Sequence, residues 1–177
     1  MVWLIPNPSN AFLFESAIST AEAERLEALA SNRVVVEIGS WFGYSTILMA
    51  QVARKVHAID WHRGDDHAGR RSTLPQLWDS LFAYGVQNKV VLHVGRSQDV
   101  LPLWSEAHFD LAFIDGYHTK EAVLQDYSLL DGLVHRGGLF AFHDYGRYGV
   151  KDALDQVLGL PDVLVESLAI YENRRRA

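Results

Sequence analysis

Four residues in the second half of the chain are placed to do chemistry together. Asp115 closes the apolar run Leu111-Ala112-Phe113-Ile114, with His118 three residues on, and His143-Asp144 closes a second run, Leu139-Phe140-Ala141-Phe142. Each run has the length and composition of a buried strand. Parallel neighbours lie ~4.8 Å apart, so acids ending two such strands converge. Carboxylates that close repel unless a cation lies between them. A hard divalent ion with oxygen ligands, magnesium or manganese, resolves the repulsion. His118 suits general-base work beside it, because an imidazole of ordinary pKa ~6.5 is largely neutral near pH 7. His143 has two readings. It is either a nitrogen ligand, which favours manganese, iron or zinc over magnesium, or it points away, since adjacent strand residues face opposite sides.

The segment from Val34 to Thr46 carries a different signal. Val34-Val35-Val36-Glu37-Ile38 is a β-branched run, and Gly39 and Gly43, four apart, lead into Tyr44-Ser45-Thr46 and a helix-forming stretch. This reads as strand, tight turn and helix, with free N-terminal amides able to receive an anion. Glu37 offers an acceptor for a neighbouring cation, so an amino-acid head group fits. The dinucleotide fingerprint needs a middle glycine beside the pyrophosphate; Trp41 stands there. Asp60 ends the next apolar run about twenty residues on, where an acid can hold ribose hydroxyls. Trp61 offers a flat face to a purine, and Gly95-Arg96-Ser97-Gln98-Asp99 offers polar groups to an adenine edge. Taken alone, each is also an ordinary strand end or loop.

The elements that position these residues follow from pattern. Ser19 and Glu22 have capping-box spacing for a helix to about residue 30. Strands are expected at 34–38, 55–60, 90–94, 111–114 and 139–142, with helices at about 44–53, 73–84, 100–104, 120–134 and 150–158. Gly137-Gly138 is read as closing the fourth of these helices. Successive β–α units predict an α/β fold, a Rossmann-like, doubly wound, mostly parallel sheet. The runs 163–165 and 168–171 are too close for a crossover and pair as an antiparallel edge hairpin. One domain is expected over 1–177, a helical N-terminal segment (1–32) and a core (33–177).

Bulk properties exclude several classes. The 177 residues carry a formal charge of −6, with 49% hydrophobic and 21% charged residues, which argues against a nucleic-acid partner and fits a globular protein. Arg174-Arg175-Arg176 reads as a solvated end. There is no cysteine, which fits a reducing compartment. No apolar run reaches the ~20 residues of a membrane span, and the first residues, which break at Pro6, are a poor signal peptide. A cytoplasmic location is the expectation.

The segment EIGSWFGYSTILMA resembles the first motif of the class I S-adenosylmethionine-dependent methyltransferases, and is especially similar to the catechol O-methyltransferase group. GRSQD is similar to the adenine loop of that group. IDGYHTKEAVLQD followed by GGLFAFHDYG resembles the metal-dependent methyltransferases of natural-product sugars and their cephalosporin-hydroxylase-like relatives, as does IDWHRGDDHAG. The likeness covers roughly residues 30 to 150. It implies that Glu37, Gly39, Ser40, Trp41, Gly43 and Ser45 hold the methionine portion of S-adenosylmethionine. Asp60 would hold the ribose, Trp61, Ser97 and Gln98 would surround the adenine, and Asp115 would border the cofactor. Asp115 and Asp144, with His143, would hold the ion, and His118 would take the proton of an acceptor hydroxyl. His143 departs from the pattern, since relatives place a carboxylate there.

The implied activity is O-methyl transfer to a hydroxylated small molecule. Two alternatives stand beside it: a nicotinamide-dependent oxidoreductase, against which Trp41 counts, and a non-catalytic S-adenosylmethionine-binding protein. His62, Asp65, Asp66 and His67 look ligand-like but read as lid or surface. The short lead-in to the first strand leaves substrate cover to a second subunit of a homo-oligomer, or leaves the crevice open to a large acceptor.

Overall fold

The computed structural model describes residues 2–4, 13–64, 69–104 and 109–174. A short antiparallel pair, β1 (Val2–Leu4) and β2 (Leu13–Glu15), comes first. The expectation of a helical lead-in missed it, because three-residue strands are too short to show a period. Helix α1 (Thr20–Ala30) opens with a reciprocal capping box: Ser19 Oγ accepts from the Glu22 amide and Glu22 Oε2 accepts from the Ser19 amide at 2.9 Å.

The alternation then runs β3 (Val34–Ile38), α2 (Tyr44–Val52), β4 (Lys55–Asp60), α3 (Leu74–Ala83), β5 (Val90–Val94), α4 (Ser97–Val100), β6 (Phe109–Ile114), α5 (Lys120–Leu130), β7 (Val134–Phe142), α6 (Val150–Val157), β8 (Val163–Val165) and β9 (Leu168–Glu172). The sheet order is β5-β4-β3-β6-β7-β9-β8. Strands β3 to β7 pair in parallel, and β9 and β8 close the far edge antiparallel. The chain winds outward from β3 to β5, then returns to place β6 on the other side of β3. That reversal opens a crevice beyond the carboxyl ends of β3 and β6.

The period of two along each strand feeds two cores. Val35, Val56, Leu111 and Phe113 pack with Leu26 and Leu29 of α1, Ile47 and Met49 of α2, and Leu77 and Leu81 of α3. Val36, Ala112, Ile114, Phe140 and Phe142 pack with Val123, Tyr127 and Leu130 of α5 and Ala153 and Leu154 of α6. With both faces covered, the strands are apolar almost throughout, as parallel strands must be.

Two boundaries differ from expectation. Helix α5 stops at Leu130, and β7 already starts at Val134, so Gly137-Gly138 lies inside a strand. The register explains this: Phe109 pairs with Val134 but Leu111 with Leu139, an irregularity that absorbs extra residues around Gly137, whose φ is +80°. The expected helix at 100–104 is instead α4 followed by a 3-10 turn, Leu101–Leu103, containing Pro102. Arg174 is exposed, as a solvated end should be, and pairs with Asp162 at 2.8 Å, while Arg175 and Arg176 lie outside the described residues. Among the described residues no helix is long and apolar enough to cross a membrane.

Candidate active site

Hydrogen bonds carry the sheet register one step past the strands and align their tips. Gly95 N donates to Asp60 O, Gly39 N to Ile59 O and Asp115 N to Ile38 O, each at 2.9 Å, and His143 N to Ile114 O at 3.1 Å. The residues read as chemically active from the sequence therefore stand in one row. Above them lies a crevice of about 1750 Å³, lined among others by Gly39, Ser40, Trp41, Ser45, Asp60, Trp61, Ser97, Gln98, Asp115, His118, His143 and Asp144.

The β3–α2 turn is shaped for close approach. Gly39 has φ +92°, and a Cβ there would meet the Asp115 carbonyl oxygen at 2.1 Å, so only glycine lets the two strand tips touch. Trp41 adopts φ +45°, pinned by its amide, which donates to Asp60 Oδ2 at 2.7 Å. The other Asp60 oxygen accepts from the His62 amide at 2.6 Å. Asp60 thus ties the turn after β3 to the loop after β4 while facing the crevice. Ser40 lines the crevice, and its buried hydroxyl has no hydrogen-bond partner among the described residues. A buried polar group of that kind is expected to find one.

Three expected cofactor residues behave differently. Glu37 does not line the crevice. It is fully buried on the α1–α2–α3 side of the sheet, the side of Val35, and accepts from Ser45 Oγ and Thr46 Oγ1 at 2.5 Å each. Burial, only partly offset by those hydroxyls, pushes its pKa up to about 8. Gly43 is likewise off the crevice wall, with φ +97° at the N-cap of α2. Trp61 does not present a bare face, since the guanidiniums of Arg63 and Arg96 lie 4.8 and 4.6 Å from its ring centroid. His62, expected at the surface or in a lid, is buried, with its Nδ1 2.8 Å from Thr73 Oγ1. Asp65, Asp66 and His67 lie outside the described residues.

At the other end of the crevice Asp115, His118, His143 and Asp144 each bring one donor atom within 4.8 Å of the others. Asp115 Oδ1 is 3.1 Å from both His118 Nε2 and His143 Nδ1, and His118 Nε2 is 3.5 Å from Asp144 Oδ2. Strand alternation alone would part His143 from Asp144. The backbone of Asp144 turns to φ +56°, which ends the alternation and brings both side chains to one place. Left-handed geometry in a non-glycine residue has a cost, and Tyr148, whose ring lies tilted 5.5 Å from that of His118, shares it at φ +52°.

Electrostatics tighten the group. Burial opposes charge on His143, but Asp115, then Glu22 and Asp144, override it and push the imidazole up to about 10. Burial opposes charge on Asp115 too, and His143 and His118 hold its carboxyl below the ordinary value. His118 is raised, burial notwithstanding, by Asp115 and Asp144. The two imidazoles stand where a cation between two acids would stand.

Sequence reasoning missed two acids of this region. Asp126 of α5 is buried at the crevice, accepts from Ser97 Oγ at 2.5 Å and is pushed by burial up to about 6. Glu22, recognised only as a cap, reaches the back of His143 at 3.5 Å. Asp126 ends the IDGYHTKEAVLQD segment without being singled out there, and Glu22 has no local motif that points to the site.

The profile of one family, described as a methyltransferase domain, matches residues 36–145, which hold the β3–α2 turn, Asp60 and the four-residue cluster. The chain belongs to that methyltransferase domain family. The methyltransferase domain is 29% identical over 135 residues to catechol O-methyltransferase of Bos taurus, covering 71% of this chain and 46% of that protein. It is 30% identical over 133 residues to catechol O-methyltransferase of Sus scrofa, covering 71% and 67%. The chain spans about half the length of the bovine relative. Its fold is that of the O-methyltransferase NovP (TM-score 0.72, 19% identical, covering 90% of this chain and 84% of that one). It is also that of the O-methyltransferase TomG from Streptomyces achromogenes in complex with S-adenosylmethionine (TM-score 0.62, 24% identical, covering 82% and 63%). The nicotinamide-dependent oxidoreductase alternative gives way to this membership.

Proposed function

We propose that this methyltransferase domain carries out S-adenosylmethionine-dependent O-methylation of a hydroxylated small molecule, assisted by a divalent metal ion. The observation that carries the reading is the convergence of Asp115, His118, His143 and Asp144 within 4.8 Å at one end of a crevice that also holds Ser40 and Asp60. The residues present fit both groups. The unpartnered Ser40 hydroxyl and the open first turn of α2 suit an amino-acid carboxylate, and Asp60, with Gln98 further along, suits the ribose and adenine. Two carboxylates and an imidazole suit a divalent ion. The likeness to catechol O-methyltransferases supports the choice of a hydroxyl acceptor.

When bound, the sulfonium would supply the methyl group and the ion would supply charge to acidify the acceptor hydroxyl. The chain's own residues do the rest. Asp115 and Asp144, from adjacent strand tips, set where the acceptor oxygen sits. His118, with a quarter of its side chain exposed while His143 is closed off at 2%, is the imidazole an acceptor can reach. It takes the hydroxyl proton, work that contributes ~10²–10⁴-fold in rate. The Tyr148 ring packs against one side of that imidazole.

Isothermal titration with S-adenosylhomocysteine, with and without manganese or magnesium, tests the reading. The expected result is saturable binding of S-adenosylhomocysteine and none of NAD. NAD binding with no response to S-adenosylhomocysteine would sink it.

A further inference from the structure

Behind the candidate metal cluster sits a carboxylate that no part of the reaction requires. Glu22 belongs to α1 and is 2% exposed. Its Oε2 accepts from the Ser19 amide at 2.9 Å, and its Oε1 accepts from the Ser167 amide and hydroxyl at 2.8 and 2.7 Å. The carboxylate is therefore clamped between the helix cap and the turn joining β8 to β9. The side it leaves open faces His143, with Oε2 3.5 Å from Nε2, an ion-pair distance. His143 in turn directs its other nitrogen, Nδ1, at Asp115 Oδ1. Carboxylate, imidazole and cluster stand in line.

We propose that Glu22 is a positioning residue that makes His143 a nitrogen ligand, and that the cluster therefore selects a transition ion such as manganese over magnesium. The proposal rests on the metal-assisted reading above. An imidazole binds an ion through one nitrogen and keeps its proton on the other. Ligating histidines are characteristically held by a carboxylate on that second nitrogen, which fixes both tautomer and ring orientation. Glu22 Oε2, 3.5 Å from a buried Nε2 that makes no hydrogen bond among the described residues, is placed to meet that requirement and leaves the Nδ1 lone pair for the ion. A capping box alone calls for no histidine beside it, and a brace to Ser167 calls only for a hydrogen-bond acceptor. Buried against the sheet, His143 has no other way to reach the crevice than through Nδ1. Imidazole nitrogen is taken by first-row transition ions, manganese included though it also favours oxygen, whereas magnesium keeps to oxygen.

The test uses the full chain with Mn²⁺ and Mg²⁺ as probes, read by titration calorimetry and by pulsed electron-spin resonance of bound Mn²⁺. In the latter a directly coordinated imidazole nitrogen modulates the echo. The wild type is expected to bind Mn²⁺ more tightly than Mg²⁺ and to show the nitrogen modulation. His118→Ala should keep that modulation, and His143→Asp should lose it while narrowing the Mn²⁺ preference. Glu22→Gln, which preserves an acceptor for Ser167, should weaken Mn²⁺ binding about 10–100-fold and leave S-adenosylhomocysteine affinity unchanged. A merely structural Glu22 would lower the melting temperature of the Gln variant without moving the Mn²⁺ to Mg²⁺ ratio, and that result overturns the proposal. Mn²⁺ bound in the wild type without nitrogen modulation overturns it as well. Binding of neither ion alongside intact S-adenosylhomocysteine binding instead removes the metal from the proposed function itself.

Discussion

Inside the junction of β3 and α2, Glu37 is shut away from water with hydroxyls of Ser45 and Thr46 on its two oxygens, and burial pushes its pKa from an ordinary 4.5 up to about 8. The folded protein therefore binds this proton more tightly than the unfolded chain does. Stability from this group is complete below about pH 4.5 and is lost as pH rises through about 8. At ~1.4 kcal/mol per pKa unit, the effect is of order a few kcal/mol. Glu37→Gln, which cannot ionise, should flatten that slope: in urea denaturation at pH 5 and pH 8 the wild type should lose a few kcal/mol more than the variant. Parallel losses would show that Glu37 is charged when folded. The acids at the strand tips were legible in the sequence because each ends an apolar run. The environment of Glu37 was harder to see, since a motif names a position in a loop and not the face of the sheet that a neighbouring side chain takes. Glu22 was beyond local reading altogether: its Ser167 partner lies 145 residues away.

Between residues and fold stands the turn from β3 to α2, on which the proposed cofactor end of the crevice depends. Gly39 combines φ +92° with a neighbouring strand so close that a Cβ would lie 2.1 Å from the Asp115 carbonyl oxygen. Backbone, unlike a flexible side chain, cannot step aside. Gly85, at the end of α3, has φ +68° but nothing within 4 Å of the place a methyl group would take, so it isolates the conformational cost. Gly85→Ala should cost about 1 kcal/mol. Gly39→Ala should cost about 2 kcal/mol or more, and it should also weaken S-adenosylhomocysteine binding because the tips of β3 and β6 are forced apart. Equal costs in urea denaturation would mean that the close approach of the two strands is unimportant. At this scale the sequence was a good guide wherever an element was long and periodic: α1, α2 and the strands β3, β4 and β5 lie where the pattern puts them. It misplaced the α5–β7 junction because glycine pairs commonly end helices, and only the register against β6 reveals that this pair bends a strand.

For the whole molecule, folding and binding form one equilibrium, so a ligand that binds only the folded state raises its stability. A ligand at a hundred times its dissociation constant adds ~2.7 kcal/mol, which for a domain of this size is a melting shift of roughly 5–10 °C. The proposed crevice has a cofactor end at the tips of β3, β4 and β5 and a metal end at the tips of β6 and β7. The two should therefore report separately. S-adenosylhomocysteine and Mn²⁺ should each raise the melting temperature of the wild type, and a chelator should cancel the second shift alone. Asp144→Ala, measured against its own unliganded baseline, should keep the S-adenosylhomocysteine shift and lose the Mn²⁺ shift. Retention of the Mn²⁺ shift would place the ion elsewhere on the molecule. Loss of both would mean that the left-handed turn at Asp144, φ +56°, supports the entire crevice, and that the carboxylate's part in ion binding is secondary to its part in holding the chain.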